Sequence, residues 1–403
     1  VRRVVFVFAG GIVALAVGGM DVAAAVPQAA VQRKAAPVAQ GPRFNLPTGN
    51  KDQQAGIDRY LRGLIRNTPK GAEIDVALFR LTTSGMAGEL ADAVKRGVHV
   101  RIVLDSDSVK QSASVYGYLK SRLGTDTRKA SWIVLCPKNR GCIAPAVKGV
   151  WGKNHNKFYA FSQTQGSRNV VVQTSSNATG GMYGAWNDAY TMSDATLYKA
   201  YRGYFYDLAR RRANGNYYKV VRSGTRSVTF FPKAAGDPIV SALDGVLCLG
   251  GTRIRLSSGQ FTRTEVAEKL WWLARSGCRV EIVSGSFGAS TLKTLSQPGV
   301  LNAAPSVHYF AKGQTHEAHS KYLLIDGWYF GKRARVVMAG SHSYTTAALR
   351  HNDEAMVTVR DKATFDAYVR NFGQVYGSAK GRLRSTTLFQ LPAPTVPDNS
   401  NGD

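Results

Sequence analysis

His319-Ser-Lys-Tyr-Leu-Leu-Ile-Asp326 decides the reading of this chain, and it has an earlier counterpart in His155-Asn-Lys-Phe-Tyr-Ala-Phe-Ser162. Side chains alternate between the faces of an extended strand, so the imidazole and ammonium of His-x-Lys project from one side, a pleat apart. The aromatic and aliphatic residues that follow suit a buried strand. Two such strands facing each other would present two imidazoles and two ammonium groups to one phosphodiester. The copies lie 319 − 155 = 164 residues apart, about the length of an ordinary domain or half-domain.

The echo runs further. After His319 come the apolar Val336-Val-Met and then Gly340-Ser-His-Ser343; after His155 come Val170-Val-Val and then Thr174-Ser-Ser-Asn177. His351-Asn-Asp-Glu354 and Trp186-Asn-Asp-Ala189 follow. This order, His-x-Lys-x4-Asp, then Gly-Ser-x-Asn, then an acidic residue, resembles the phospholipase D superfamily. The second copy departs from it at Ser343, where the family has Asn. The first copy has Ser162 for the motif Asp and Thr174 for Gly.

Outside these motifs, Val1-Arg-Arg is basic, an apolar run extends from Val4 to Val17, and Ala23-Ala-Ala25 is an A-x-A cleavage signature. The pattern predicts a secretory signal peptide over residues 1–25 and a secreted, extracellular protein. Residues 26–45, rich in Ala, Pro and Gln, read as a flexible linker, and residues 386–403 as a flexible tail. Hydrophobic residues make up 44% of the 403, enough for two ordinary domains or one duplicated fold. Four cysteines in an exported chain favour two disulfides. Of the three pairings, Cys136–Cys142 with Cys248–Cys278 is preferred, because local closure needs no contact between halves. None has zinc-knuckle spacing.

A second duplication supports the first. A helix starts near Asn50, with Ile57, Leu61, Leu64 and Ile65 on one face. The strand Ile74–Phe79, a helix over 86–96, the stop Gly97 and the strand Val98–Leu104 follow. In the second half Asp237-Pro238 opens a helix. Strand Thr252–Leu256 comes next, then a capping box at Thr262-x-x-Glu265, a helix, Gly277 and a strand from Val280. This alternation predicts an α/β class with largely parallel pairing. The expected fold is a duplicated α-β-α sandwich, two phospholipase D-like halves over 46–222 and 226–385 with pseudo-twofold symmetry and the site between them. The long basic segment 106–150 is a candidate lid by length and position.

The groups imply a chemistry. One imidazole attacks phosphorus to give a covalent phosphohistidine while its partner protonates the leaving alkoxide; water activated by the partner then completes hydrolysis. The resemblance implies that His155 is the nucleophile and His319 the acid/base. Lys157 and Lys321, with Asn177, Ser175, Ser341 and Ser343, would hold the non-bridging oxygens, so neither metal nor other cofactor is needed. Glu354 would hydrogen-bond the far nitrogen of His319, with Asp188 the nearest equivalent for His155. Asp326 completes the second motif away from phosphorus. Trp151, Tyr183 and Trp186 flank the first motif and would line a substrate groove. Five of seven histidines, His308, His316, His319, His342 and His351, fall in one region; a metal site of His316, Glu317 and His319 is the weaker reading, because its spacing lacks the i, i+4 pair.

The formal charge of +27 attracts polyanions, whether an anionic lipid surface or nucleic acid. The resemblance implies a monomer acting at a phospholipid membrane surface: a phospholipase D cleaving the head-group phosphodiester to phosphatidate. A secreted, metal-independent endonuclease using the same site is the alternative that the charge favours. Ser162, Thr174 and Ser343 suggest a third, an inactive binder of envelope polyanions.

Overall fold

The structure is a computed structural model and describes residues 36–298 and 304–383. The expected signal peptide, the first part of the linker and the tail lie outside the described residues. The described strands form two sheets. In the first the order is β1 (Gly41–Phe44), β7 (Asp188–Ser193), β6 (Ser167–Thr174), β5 (Lys157–Thr164), β2 (Glu73–Leu78), β3 (His99–Leu104), β4 (Trp132–Leu135). The second runs β8 (Lys219–Ser223), β9 (Arg226–Phe231), β16 (Glu354–Val359), β15 (Lys332–Gly340), β14 (Tyr322–Tyr329), β11 (Arg253–Phe261), β12 (Arg279–Phe287), β13 (Ser306–Tyr309), β17 (Gly381–Leu383), with β10 (Val246–Leu247) also on β14.

The stretch β1-β7-β6-β5-β2-β3-β4 in one sheet matches β9-β16-β15-β14-β11-β12-β13 in the other, so the duplicated α/β fold is present strand for strand. Pairing is mixed rather than largely parallel: β2-β3-β4 and β11-β12-β13 are parallel, and the His-x-Lys strands and their neighbours are antiparallel. The physical reason is connection length. β5 turns directly into β6 and β14 into β15, and a hairpin can only join antiparallel strands.

Alternation along β5 and β14 builds the layers. Phe158 and Ala160, with Tyr322 and Leu324, face a common core between the sheets, which also takes the apolar faces of helices Ala195–Arg210 and Lys362–Ser378. Tyr159 and Phe161 face outward onto helices Gly56–Arg66, Ser84–Lys95 and Ala113–Leu123. Leu323 and Ile325 do the same under Pro238–Asp244 and Thr264–Arg275. Both faces of each sheet are covered, which is why these strands read as near-continuous apolar runs. Ile57, Leu61, Leu64 and Ile65 are the buried stripe of the first long helix.

Three local expectations change. Residues 41–44 of the supposed linker form β1, held by pairing with β7 and by Phe44 against the Tyr368 ring, centroids 5.0 Å apart. The chain enters the second sheet at Lys219, three residues ahead of the expected end of the first half. The capping box at Thr262 does not form: Thr262 and Arg263 both donate their N–H to Tyr344 O, and the helix begins at Thr264 without a side-chain cap. The disulfides are Cys136–Cys142 and Cys248–Cys278, the local pairing, one in each half.

Candidate active site

Each motif histidine lies in extended chain just ahead of its strand, bridged to the other half. His155 N–H donates to Asp353 O at 3.0 Å and Asp353 N–H to Lys153 O at 2.9 Å, around a parallel bridge of Asn154 with Asp353. The second copy repeats this. Trp186 N–H donates to Glu317 O at 2.9 Å, and His319 and Ser320 N–H to Trp186 O at 2.9 and 2.7 Å. The segment bearing each histidine is thus stitched to the segment preceding the opposite half's β7 or β16.

The rings are paired across the same seam. His155 Nδ1 lies 2.7 Å from Glu354 Oε1, and His319 Nδ1 lies 2.7 Å from Asn187 Oδ1. Glu354 was expected behind His319; it serves His155 instead. Asp188 was expected behind His155, but its carboxylate turns into the core between the sheets, where Tyr368 Oη donates to it at 2.9 Å. Burial pushes Asp188 up to about 6, against the pull of Tyr368, Ser175 and Lys321. The equivalent of Glu354 is the preceding residue, Asn187. Ser341 N–H donates to Ala355 O and Ser175 N–H to Asp188 O, which fixes the register; Ser341 Oγ donates to Glu354 at 2.5 Å and Ser175 Oγ to Asn187 at 3.0 Å. Asn187 Nδ2 donates to the carbonyls of Met182 and Ala185, both at 3.1 Å. Its oxygen therefore faces His319, which must donate from Nδ1.

Lys157 Nζ donates to His155 O at 3.0 Å and Lys321 Nζ to His319 O at 2.6 Å, so each ammonium is anchored on the carbonyl of its own histidine. Both lysines are buried. Asn177 and Ser343 occupy equivalent turns, each just before a bridged residue: Ala178 pairs with Leu81 in the loop after β2, and Tyr344 with Phe261 at the end of β11. The amide of Asn177 is buried with no protein partner among the described residues.

Several expected residues lie elsewhere. Asp326 is seven positions along from His319, roughly 20 Å away in extended chain, where it pairs with Arg335 at 3.4 Å. Ser162, its counterpart, accepts from Glu73 N–H at 2.8 Å. That end of the strand is structural in both halves. Trp186 is buried in the common core and acts through its backbone, not as a groove wall. Trp151 is 59% exposed. His316 is half-buried and its Nδ1 lies 3.1 Å from Gly184 O, while His319 Nδ1 is held by Asn187. His342 is buried against Phe231, with Arg263 3.4 Å from its Nε2; burial, Arg263 and His155 hold it well below the usual imidazole range.

Three features escaped the sequence reading. Asp353, fully buried, accepts from the consecutive N–H groups of Cys142, Ile143 and Ala144 at 2.5, 3.2 and 2.7 Å. A Cβ at Gly141 would come within 2.6 Å of that carboxylate, so only glycine fits there. The Cys136–Cys142 loop is therefore clamped to the residue before Glu354. Asp105 accepts from Asn154 N–H at 2.7 Å, and burial pushes it up to about 7. Finally, a cleft of about 440 Å³ reaches His319, lined by Arg80, Gln260, Met182, Phe310, Lys312 and Glu317 among others. Arg80 and Gln260 hold equivalent positions, each one residue before a bridge to the Asn177 or Ser343 turn. Arg80 lies two residues past the end of β2 and Gln260 is the penultimate residue of the longer β11.

The family model described as "Cardiolipin synthase, PLD-like domain" matches residues 62–208 and again 250–376. A comparison with curated proteins finds no match. Among solved structures the chain is similar to phosphatidylserine synthase of Haemophilus influenzae Rd KW20, with TM-score 0.59, 15% identity, and 87% of this chain and 89% of that chain covered. It is also similar to polyphosphate kinase of Porphyromonas gingivalis, with TM-score 0.55, 12% identity, and 82% of this chain covered but only 50% of that one. At these identities the structural likeness speaks for the fold. The family match spans well over half the residues, once in each half, and the protein belongs to the phospholipase D-like family.

Proposed function

We propose that this protein is a secreted phospholipase D that hydrolyses the head-group phosphodiester of glycerophospholipids to phosphatidate. The observation that carries the reading is the crossed pair of supports, Glu354 on His155 and Asn187 on His319. A support on Nδ1 fixes each tautomer and directs Nε2 to the reaction. His155 Nε2 attacks phosphorus in line and the bond from phosphorus to the head-group oxygen breaks; His319, entering as the imidazolium with its Nδ1–H on Asn187, delivers its Nε2 proton to that oxygen and is left neutral. Positive charge grows on the attacking ring, and the Glu354 carboxylate stabilises it better than an amide would. In the second step His319 takes a proton from water, whose oxygen attacks phosphorus and releases His155. Lys157, Lys321, Ser343 and the Asn177 amide hold the non-bridging oxygens. The lipid reading draws on the family description, which names a phospholipid enzyme. Export draws on the basic and apolar amino terminus and the two disulfides.

A second reading, a metal-independent endonuclease on the same residues, is favoured by the charge of +27. Incubation with phosphatidylcholine vesicles and with plasmid DNA, each with chelator, separates the two. Choline release supports the lipase and nicked DNA the nuclease. Wild-type rates in His155→Ala or His319→Ala on the active substrate overturn both.

A further inference from the structure

We infer that the hairpin tip Ala146–Trp151 is a docking point for an anionic phospholipid bilayer, which seats the surface beside His155. This rests on the lipid reading above and adds where the enzyme meets its substrate. Val147 and Val150 form an isolated antiparallel bridge around a turn in which Gly149 adopts φ 77°. The tip carries Val147 at 41% and Trp151 at 59% exposure, with Lys148 also exposed. A lone exposed apolar residue means little. Here a large aromatic and an aliphatic share one short protruding turn with a cation.

The base of the hairpin is fixed on both sides. Before it, the N–H groups of Cys142, Ile143 and Ala144 grip Asp353. After it, Lys153 N–H donates to Asn352 Oδ1 at 3.2 Å, and the close approach of Gly152 to His351 O leaves no room for a Cβ. A rigid base lowers the ordering cost of inserting the tip. An indole suits the bilayer interface, where its ring meets acyl chains and its N–H meets water and head groups. Lys148 at the tip and exposed Lys138 on the neighbouring turn face the negative surface potential that anionic lipids supply. Base stacking would use the indole alone. The aliphatic Val147 is what favours a bilayer over a nucleic acid. Trp151 and His155 are four residues apart, about 13 Å of extended chain, so a docked tip keeps head groups within reach of the ring.

The test is co-sedimentation of the full chain with mixed phosphatidylcholine–phosphatidylglycerol vesicles, in a His155→Ala background so that the lipid is not consumed. Trp151→Ala and Val147→Asp should each weaken partition about tenfold, with unchanged thermal midpoints. Otherwise wild-type protein carrying Val147→Asp should hydrolyse soluble bis(p-nitrophenyl) phosphate at the parental rate. Partition unaffected by both substitutions overturns the inference. So does a loss of plasmid binding in Trp151→Ala without a loss of vesicle binding, or a dimer that only Val147→Asp dissolves. Tip-dependent partition without choline release leaves the docking point standing and removes the lipase reading; choline release with tip-independent partition does the reverse.

Discussion

In one half a carboxylate supports the opposite histidine; in the other an amide does, at the same place in the fold. The contrast extends away from the site. Asp75 and Arg101 are cross-strand neighbours 3.1 Å apart in the first sheet, and Arg255 and Glu281 fill the same positions with signs exchanged, 3.0 Å apart. At Gly340 there is no room for a Cβ beneath Ala355 O, whereas Thr174 in that position donates its hydroxyl to Asp188 O at 2.7 Å. Each half has kept a pairing while changing the partners. Only at the histidine supports does the change alter chemistry, because a carboxylate stabilises positive charge that builds on its ring, whereas an amide orients its ring and leaves it freer to give up a proton. That asymmetry agrees with His155 as the attacking group.

The largest effect expected is from the histidines: alanine at either should cut turnover about 10⁴-fold or more. With His319→Ala, rapid-quench labelling should trap phosphate on His155; label on position 319 in His155→Ala would reverse the assignment. Next comes Glu354→Gln, expected to lower kcat about 10³-fold, since Gln can offer its NH2 to Nδ1 and invert the tautomer. Asn187→Asp should be milder in kcat but should destabilise by about 1–3 kcal/mol, because it aims a carboxylate at the carbonyls of Met182 and Ala185. Full activity and stability in Asn187→Asp would mean that the amide is not required for its donors.

The disulfides allow a cleaner separation of the halves. Loop-closure entropy predicts about 2 kcal/mol for the separation of 6 and nearly 4, roughly, for the separation of 30. Replacing Cys248 and Cys278 with Ser should therefore cost more thermal stability. Replacing Cys136 and Cys142 should cost less stability but about tenfold in kcat, because that loop grips Asp353 beside Glu354. Equal kinetic effects would break the comparison.

The smallest effect is one of pH. Burial raises Asp188 to about 6 and Asp105 to about 7, from 3.8. A carboxyl raised in this way favours the folded state when protonated; the contribution is complete below about pH 3.8 and is lost as pH rises through 6 and 7. Between pH 4 and 7 the thermal midpoint of the parent should fall a few degrees more than that of Asp188→Asn. Parallel curves would show that Asp188 does not titrate in this window.

The duplication was legible because both copies repeat a strand whose face alternation and His-x-Lys spacing are local facts. The disulfides were legible for the same reason. The supports of the histidines were not, since a local reading assigns Glu354 to the nearest motif histidine, His319, and strand pairing across the seam gives it to His155. Spacing alone points to Asp188 rather than Asn187, because the turn before β7 is one residue shorter than its counterpart, with Asn187 12 residues after Ser175 and Glu354 13 after Ser341. Asp353 and Arg80 carry no spacing signature. Their roles come from what the fold brings to them, three amides in one case and a cleft in the other.

The stitching of each histidine segment to the opposite half also bears on how the molecule can be divided. Cut at Gly224, neither fragment would carry a complete reaction centre, since each would hold one imidazole and the support meant for the other. Activity should return only when both fragments are produced together and reassemble, and the two ancestral copies have become obligate complements.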